Sequence, residues 1–350
     1  MVGRRRNAAV KAMVLGSYGA PLQAAERERP EPQAGEILLK VSHCGICGTD
    51  IKIVTGKLPA IIKLPHIPGH EIVGRVAAIG KDVIGIREGD KGVAYFYIGC
   101  GVCELCRSGR ENICYSLQRL GFEREGGFAE YVRMPAYNFC RYEVEIPGEK
   151  MAILPDAIAT SYHALKSMGG VRIGQTVLIV GLGGLGIHAL QIAKMMGAAV
   201  MGTSRKKEVQ EAARSYGADK VIDPAIEDPN AVIKDFTAGK GVDVVIENVG
   251  TEETLRWSLP SLKRGGTLVL VGYDPASPVV LDSLRMHYNE WLVRGSRVST
   301  KQELVEVIRL VESRKIDPVV TRVLPLEHAN QGLSEVAEKK VVGRIVLEVG

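Results

Sequence analysis

The sequence predicts an α/β protein of two domains, one β-rich and the other built on a doubly wound parallel sheet. Three observations predict it. The chain has 350 residues, about two domains at roughly 100–200 residues each. Its first third reads as short β-rich runs broken by Gly and Pro, whereas from about Ile158 short apolar runs alternate with helical stretches. The last segment returns to a strand–helix–strand pattern that departs from those repeating units, so it is assigned back to the first domain. The expected division is 1–157 with 293–350, and 158–292.

The elements follow in order. Ala12–Leu15, Ile37–Val41, Glu71–Ile79, Gly92–Tyr97 and Ala129–Val132 are expected strands, with the cysteine-bearing segments between them. Thr176–Val180 is a short β-branched run, followed by a Gly-rich turn and a helix over about Leu185–Met196. Strand Ala199–Thr203, a helix over about Lys206–Tyr216 and strand Lys220–Ile222 come next. Val242–Glu247 and Thr267–Val271 are further strands, with Thr251–Leu262 helical between them. Lys301–Ser313 is an amphipathic helix and Gly343–Val349 a final strand.

Composition excludes several classes. The hydrophobic share of 46% and charged share of 24% are those of a globular protein. No apolar run approaches the ~18 residues of a membrane span. Met1-Val2-Gly3-Arg4-Arg5-Arg6 is basic but leads into no apolar signal core, so a cytoplasmic location is expected. The net charge of +5 is spread along the chain, and five Phe with two Trp offer few stacking surfaces. Neither a nucleic acid nor a membrane is therefore an expected partner. Seven cysteines in such a chain suit metal ligation better than disulfides.

Four of the seven, Cys100, Cys103, Cys106 and Cys114, are spaced C-x2-C-x2-C-x7-C. Four thiolates close a tetrahedral zinc site with no open position, a structural site. Free thiols and an iron–sulfur cluster are the alternatives. The ferredoxin ending x3-C-P is absent. A second constellation is Cys44-Gly45-Ile46-Cys47-Gly48-Thr49-Asp50, followed by Gly69-His70-Glu71. One thiolate and one imidazole are part of a catalytic zinc site, which needs three protein ligands and an open position. By spacing alone Cys44 and Cys47 could both bind. Asp156, after Pro155, reads from the residues alone as a turn residue.

Gly181-Leu182-Gly183-Gly184-Leu185-Gly186 fits G-x-G-x-x-G, and it lies between an expected strand and an expected helix, the context a dinucleotide fingerprint requires. Gly181 makes the turn, Gly183 admits the pyrophosphate and Gly186 lets helix and strand pack. Gly184 serves the turn, and the helix N-terminus at Leu185 faces the phosphates. The strand Ala199–Thr203 should end in a carboxylate if the cofactor is NAD. It ends instead in Ser204-Arg205-Lys206, which suits a 2′-phosphate. NADP is therefore the preferred cofactor and NAD a possible one. The alternative is that Ser204 only caps the next helix and the basic residues are solvated.

Taken together, C-G-I-C-G-T-D, G-H-E, the four-cysteine comb and the glycine fingerprint, in this order, make the chain from about residue 11 resemble the zinc-dependent medium-chain alcohol dehydrogenases. The resemblance implies a GroES-like catalytic domain, a Rossmann nucleotide-binding domain and two zinc ions per chain. It implies Cys47, His70 and Asp156 as catalytic zinc ligands, with Cys44 a packed thiol. Glu71 would be an outer or alternating ligand, and Asp50 would orient His70. Thr49 would hold the substrate hydroxyl. Many relatives have a histidine five residues after the catalytic cysteine to pass the proton to solvent; here Lys52 stands there. A lysine at its ordinary pKa of ~10.4 accepts poorly at neutral pH, so its pKa is lowered or water takes the proton.

Further roles implied by the resemblance are nicotinamide contact for Thr160, a backbone platform at Val271, Gly272 and Tyr273, and cofactor phosphate binding by Arg344. Tyr95 and Phe96 would wall the substrate pocket, or else belong to the core. The implied reaction is reversible hydride transfer between a primary or secondary alcohol and NAD(P)+, giving an aldehyde or ketone. A polyol, sugar or amino-alcohol dehydrogenase and a silent binding protein on the same fold are the rivals. A homodimer or homotetramer is implied. Cys140 and the histidines 43, 66, 163, 188, 287 and 328 take packing or surface readings.

Overall fold

The computed structural model describes residues 9–58, 62–275, 280–339 and 341–350. The basic start, Met1–Arg6, lies outside the described residues. The chain sorts into two compact units. The first comprises Met1–Asp156, Thr300–Glu312 and Val320–Gly350, and the second Ala157–Ser299 and Ser313–Val319. No helix among the described residues is long and apolar enough to cross a membrane.

The first unit is organised by a seven-stranded sheet. Its path runs Val320–Pro325, Arg344–Glu348, Glu36–Ile46, Glu71–Ile79, Lys91–Ala94 and Phe139–Arg141, and Tyr131–Pro135 pairs with Glu36–Ile46 off that path. Only the Val320–Pro325 and Arg344–Glu348 pair is parallel. The central strand is buried on both faces, with Ile37, Leu38, Leu39 and Val41 inaccessible to solvent. It runs on to Ile46 rather than stopping at Val41, the expected end. Register shifts at Leu38/Leu39 and Val41/His43 break the alternation there, so the hydrophobic pattern stops before the pairing does.

That register builds the site. Gly45 pairs with Glu71 and Ile46 with Ile345. Cys47, His70 and Arg344 thus lie at neighbouring ends of three adjacent strands. Gly45 has no alternative here, since a Cβ would come 1.9 Å from Glu71 Oε2.

The second unit carries a six-stranded, all-parallel sheet in the order Lys220–Ile222, Ala199–Thr203, Thr176–Val180, Val242–Glu247, Leu262–Leu270, Leu292–Gly295. In chain order this is 3-2-1-4-5-6, the doubly wound arrangement whose ligands bind beyond the carboxyl ends of the strands where the order reverses. The reversal falls between Thr176–Val180 and Val242–Glu247, and the glycine turn starts immediately after Val180. Leu178, Val180, Met201, Ile222, Val245 and Leu268 form the core of this sheet. Helices Pro229–Phe236 and Ser283–Asn289, and the edge strand Leu292–Gly295, were without a clear pattern in the sequence. The edge strand is short and mostly exposed, so it has no buried face to alternate.

Candidate active site and metal centres

Cys47 is the N-cap of helix Gly48–Val54. Its Sγ accepts the Thr49 N–H, and the side chain of Asp50 accepts the Cys47 N–H at 2.9 Å, a reciprocal cap written in C-G-T-D. The other Asp50 oxygen lies 3.3 Å from His70 Nδ1. One buried carboxylate therefore caps the helix that carries Cys47 and faces the ring of His70. Asp156 reaches the same place from a wide, π-type helical turn over Leu154–Ile158. The Cys47 thiol lies 3.2 Å from Asp156 Oδ2, and His70 Nε2 lies 3.7 Å from the same oxygen. One ligand atom from each of Cys47, His70 and Asp156 lies within 4.8 Å of the others, and all three residues are buried. A sulfur, an imidazole nitrogen and a carboxylate oxygen at this spacing are a zinc donor set with three protein ligands.

The electrostatics point the same way. Arg344 Nε lies 2.9 Å from Glu71 Oε1, and its Nη2 lies 3.1 Å from Asp156 Oδ2 and 3.6 Å from Cys47 Sγ. Burial and the Asp156 charge push the Cys47 thiol up. Burial lifts Glu71 to about 7 in spite of Arg344. His70 is held well above its ordinary value: burial opposes its charged form, but Asp50 and Asp156 outweigh it. Arg344, which the resemblance assigned to a cofactor phosphate, has its guanidinium against these two carboxylates and the thiol.

The remaining residues of this site sit around the cluster. Thr49 Oγ1 is 3.6 Å from Cys47 Sγ, and Lys52 is half-buried in the last turn of the same helix. The Phe96 ring lies 5.0 Å from that of His70. Tyr95 is fully buried, its ring 6.4 Å from that of Tyr97, and burial first and the Glu111 charge next hold its hydroxyl well above the usual value. Phe122, 5.3 Å from the His70 ring, had no signal in the sequence beyond its type.

The comb folds into a compact lobe. Cys100 Sγ and Cys106 Sγ are 4.0 Å apart, Cys103 Sγ and Cys114 Sγ 3.9 Å. Four sulfurs at ~2.3 Å from one tetrahedral zinc would stand ~3.8 Å apart. Backbone N–H groups already point at them: Cys103 N at Cys100 Sγ, Cys106 N at Cys103 Sγ, and both Cys100 N and Ser116 N at Cys114 Sγ. The N–H groups of Val102 and Cys103 bring the Cys100 thiol down to about 6. The donor set fits a closed zinc site.

In the second unit the fingerprint turn is shaped for a ligand. Gly181 has φ +82°, and a Cβ on Gly186 would come 2.1 Å from the Gly181 carbonyl oxygen. A Cβ on Gly183 would meet nothing within 4 Å, so that side of the turn is open. Thr203 ties the turn to the end of the next strand, its Oγ1 accepting from Gly181 N and its carbonyl from Leu182 N. Helix Gly186–Met195 begins just beyond Leu185. Ser204 Oγ accepts from Lys206 N, while the next helix starts at Lys207 with Lys206 as N-cap and no side-chain cap bond. Arg205 is exposed. Val271, Gly272 and Tyr273 follow strand Leu262–Leu270 directly, with the first two N–H groups on Glu247 O. Thr160 is buried on the turn Ala159–His163, whose Ser161 Oγ donates to Leu185 O. The glycine turn, Ser204 and Val271 thus all lie just past carboxyl ends of the parallel strands.

Comparison with known proteins gives the family. Residues 33–144 match the alcohol dehydrogenase GroES-like domain, and residues 184–313 match the zinc-binding dehydrogenase domain. An alcohol dehydrogenase of Geobacillus stearothermophilus is 36% identical over 343 residues, which cover 97% of this chain and 99% of that protein. This chain is a member of the zinc-dependent medium-chain alcohol dehydrogenase family. Within the family, an NAD-dependent alcohol dehydrogenase of Saccharolobus solfataricus is 33% identical, over 97% of this chain and 99% of its own. The crystal structure of an alcohol dehydrogenase from Aeropyrum pernix superposes with a TM-score of 0.91 at 32% identity, covering 97% of this chain and 99% of that one. A family member from Sulfurisphaera tokodaii, 30% identical over 97% of this chain and all of its own length, is an acryloyl-coenzyme A reductase.

Proposed function

We propose that the chain catalyses reversible hydride transfer between a primary or secondary alcohol and NAD(P)+, giving an aldehyde or ketone, with two zinc ions per chain. The observation that carries this reading is the convergence of Cys47 Sγ, His70 Nε2 and Asp156 Oδ2 within 4.8 Å. Zinc held by these three atoms supplies Lewis-acid polarisation of the alcohol oxygen, lowering its pKa as it lowers that of water from 15.7 to about 7. A nicotinamide cofactor, held by the glycine turn 181–186, Thr160 and the backbone at Val271, Gly272 and Tyr273, supplies the hydride acceptor.

The chain's own groups do the rest. Asp50 keeps His70 in the tautomer whose Nε2 lone pair faces the ligand cluster. Thr49 Oγ1 takes the proton of the substrate hydroxyl as it gives up its own, and the relay ends on Lys52 or on water. Phe96 walls the metal site and keeps it apolar. The lobe of Cys100, Cys103, Cys106 and Cys114 holds the second zinc as a closed structural site. Ser204, Arg205 and Lys206, with no carboxylate at the end of strand Ala199–Thr203, favour NADP over NAD.

Seven cysteines, none of them in a disulfide, suit a reducing cytoplasm. Self-association through the second unit is supported by Val280 and Leu281, both exposed and both lining a largely apolar groove of about 300 Å³.

The acryloyl-coenzyme A reductase relatives favour a second reading, in which the hydride goes to a carbon–carbon double bond conjugated to a thioester. One experiment tests both. Zinc content is measured alongside turnover of alcohols, polyols, amino alcohols, aldehydes, ketones and acryloyl-coenzyme A, with NADPH and with NADH. Two zincs per chain and faster turnover of a carbonyl than of the thioester are expected. Faster thioester reduction overturns the first reading in favour of the second. Nucleotide binding without turnover of any substrate makes the chain a silent binding protein.

A further inference from the structure

His188 lies two residues past Gly186 on the helix that follows the glycine turn, and it is fully buried. Its Nδ1 stands 2.7 Å from the Gly184 carbonyl oxygen and its Nε2 2.9 Å from Val319 N. A backbone N–H can only donate, so Nε2 carries the lone pair. The ring proton then sits on Nδ1 and is donated to Gly184. The ring is a neutral bridge in one tautomer.

Both ends of the bridge matter. The His188 N–H bonds to Leu185 O rather than to Gly184 O, so the ring supplies the partner that the Gly184 carbonyl would otherwise lack. The Gly184–Leu185 peptide is planar and trans, so fixing its carbonyl toward His188 turns the Leu185 N–H the opposite way. At the other end, Val319 is the last residue of the second unit before the chain re-enters the first. One turn along the same helix, Gln191 pairs with both backbone groups of Asp317, at 2.9 Å each. The helix therefore carries residues 317–319 as a sheet would carry a strand. Gln191 grips that segment. His188 holds both the segment and the turn.

We propose that His188 is the positioning residue through which an occupied glycine turn orders residues 317–319. The proposal rests on the cofactor reading above. A pyrophosphate on the turn draws on its N–H groups, stiffens the Gly184–Leu185 peptide and so tightens the ring on Val319.

Two substitutions separate the halves of the bridge. In His188→Asn the amide nitrogen overlays Nδ1, keeping the donor to Gly184 and losing the acceptor for Val319. In His188→Gln the amide oxygen overlays Nε2, keeping the acceptor and losing the donor. NADH and NADPH binding is followed by nicotinamide fluorescence, and hydrogen exchange of the full chain is measured with and without each nucleotide. In the wild type, binding should slow exchange across residues 316–324. H188N should bind within a few-fold of wild type yet lose that slowing. H188Q should bind about tenfold more weakly, as loss of one buried hydrogen bond implies, and should also lose the slowing. Wild-type coupling in either variant overturns the proposal, so one folded variant suffices. Nucleotide binding to the wild type without any change at 316–324 overturns the proposal alone. No binding of either nucleotide overturns it together with the cofactor reading.

Discussion

Replacing Asp50 with Asn should release the catalytic zinc and leave the zinc of the cysteine lobe in place. Asp50 is wholly buried, with one oxygen on Cys47 N at 2.9 Å and the other 3.3 Å from His70 Nδ1. An asparagine must choose. If its oxygen keeps the Cys47 N–H, its NH2 group faces His70 Nδ1, and the ring must accept there. The ring proton then moves to Nε2, the atom that faces Asp156 and Cys47, and no lone pair remains for a metal. If the amide flips, His70 is satisfied but the helix cap is lost, at about 1 kcal/mol. A buried N–H is then also left unpaired, at roughly 1–3 kcal/mol. Either choice costs ~10–100-fold in metal affinity, as for other outer partners of a ligating histidine. Chelator competition with elemental analysis measures it. The expected result is two zincs per wild-type chain and one per D50N chain at the same chelator strength, with kcat/KM reduced in parallel. A D50N chain that keeps two zincs at wild-type affinity would refute the reasoning, because the His70 tautomer would then not depend on Asp50.

Other outcomes follow from the same geometry. Ser204→Asp restores a carboxylate at the end of strand Ala199–Thr203 and should cut kcat/KM for NADP by ~10–100-fold relative to NAD; a wild type that already prefers NAD would contradict the reading of Arg205 and Lys206. Cys103→Ser should lower zinc content by one per chain and Tm by roughly 5 °C, read by calorimetry. Gly186→Ala places a methyl 2.1 Å from the Gly181 oxygen and should weaken nucleotide binding about tenfold through overpacking of ~1–3 kcal/mol, measured by fluorescence titration. The zinc-free chain should lose stability as pH rises. His70 lies well above its ordinary 6.5, and Glu71 is lifted from 4.5 to about 7, so both bind protons more tightly folded than unfolded. The stability contributed by His70 is complete below 6.5 and that by Glu71 below 4.5, and both fade as pH rises through the folded values. The Tm gained on zinc loading should therefore grow from about pH 5 to pH 8, and a gain that shrinks over that range would count against the cluster.

What could be read from the sequence was local in the chain. The comb needs only residues 100–116, because all of these N–H to sulfur bonds fall inside that stretch. The glycine turn is equally local, since Gly186 is needed for the carbonyl five residues before it. Asp156 was different. Next to Pro155 it read as a turn residue, and nothing local says that a wide helical turn will bring it to a cysteine 109 positions earlier. Only the family pattern pointed there. The place of Arg344 beside Glu71 was hidden for a similar reason, as that contact depends on the pairing of Ile345 with Ile46 and of Gly45 with Glu71. Strand register over such distances is set by bulges and buried faces, and the bulges in Glu36–Ile46 hid the strand's own end. Phe122 packs on His70 from an irregular loop, where side-chain type carries no positional signal.

The charges at this site explain why Arg344 belongs with the ligands. Cys47, Asp50, Glu71 and Asp156 are four buried groups able to carry negative charge, and Arg344 is a permanent cation set against three of them. Burying several anions around one cation is costly. Without a further positive charge the cluster answers by holding protons, which is the direction in which His70, Cys47 and Glu71 all move. A divalent cation held by Cys47, His70 and Asp156 would remove that need, free the His70 Nε2 lone pair and let Cys47 ionise. Arg344 would then remain on Glu71 and Asp156, where, with Asp50 turned to His70, it would offset the charge that Glu71, Asp156 and the Cys47 thiolate leave after one divalent ion. An alcohol that gave up its proton here, as proposed, would add one more negative charge to the same buried cluster. The guanidinium that balances the carboxylates thereby also helps decide how readily that charge is accepted.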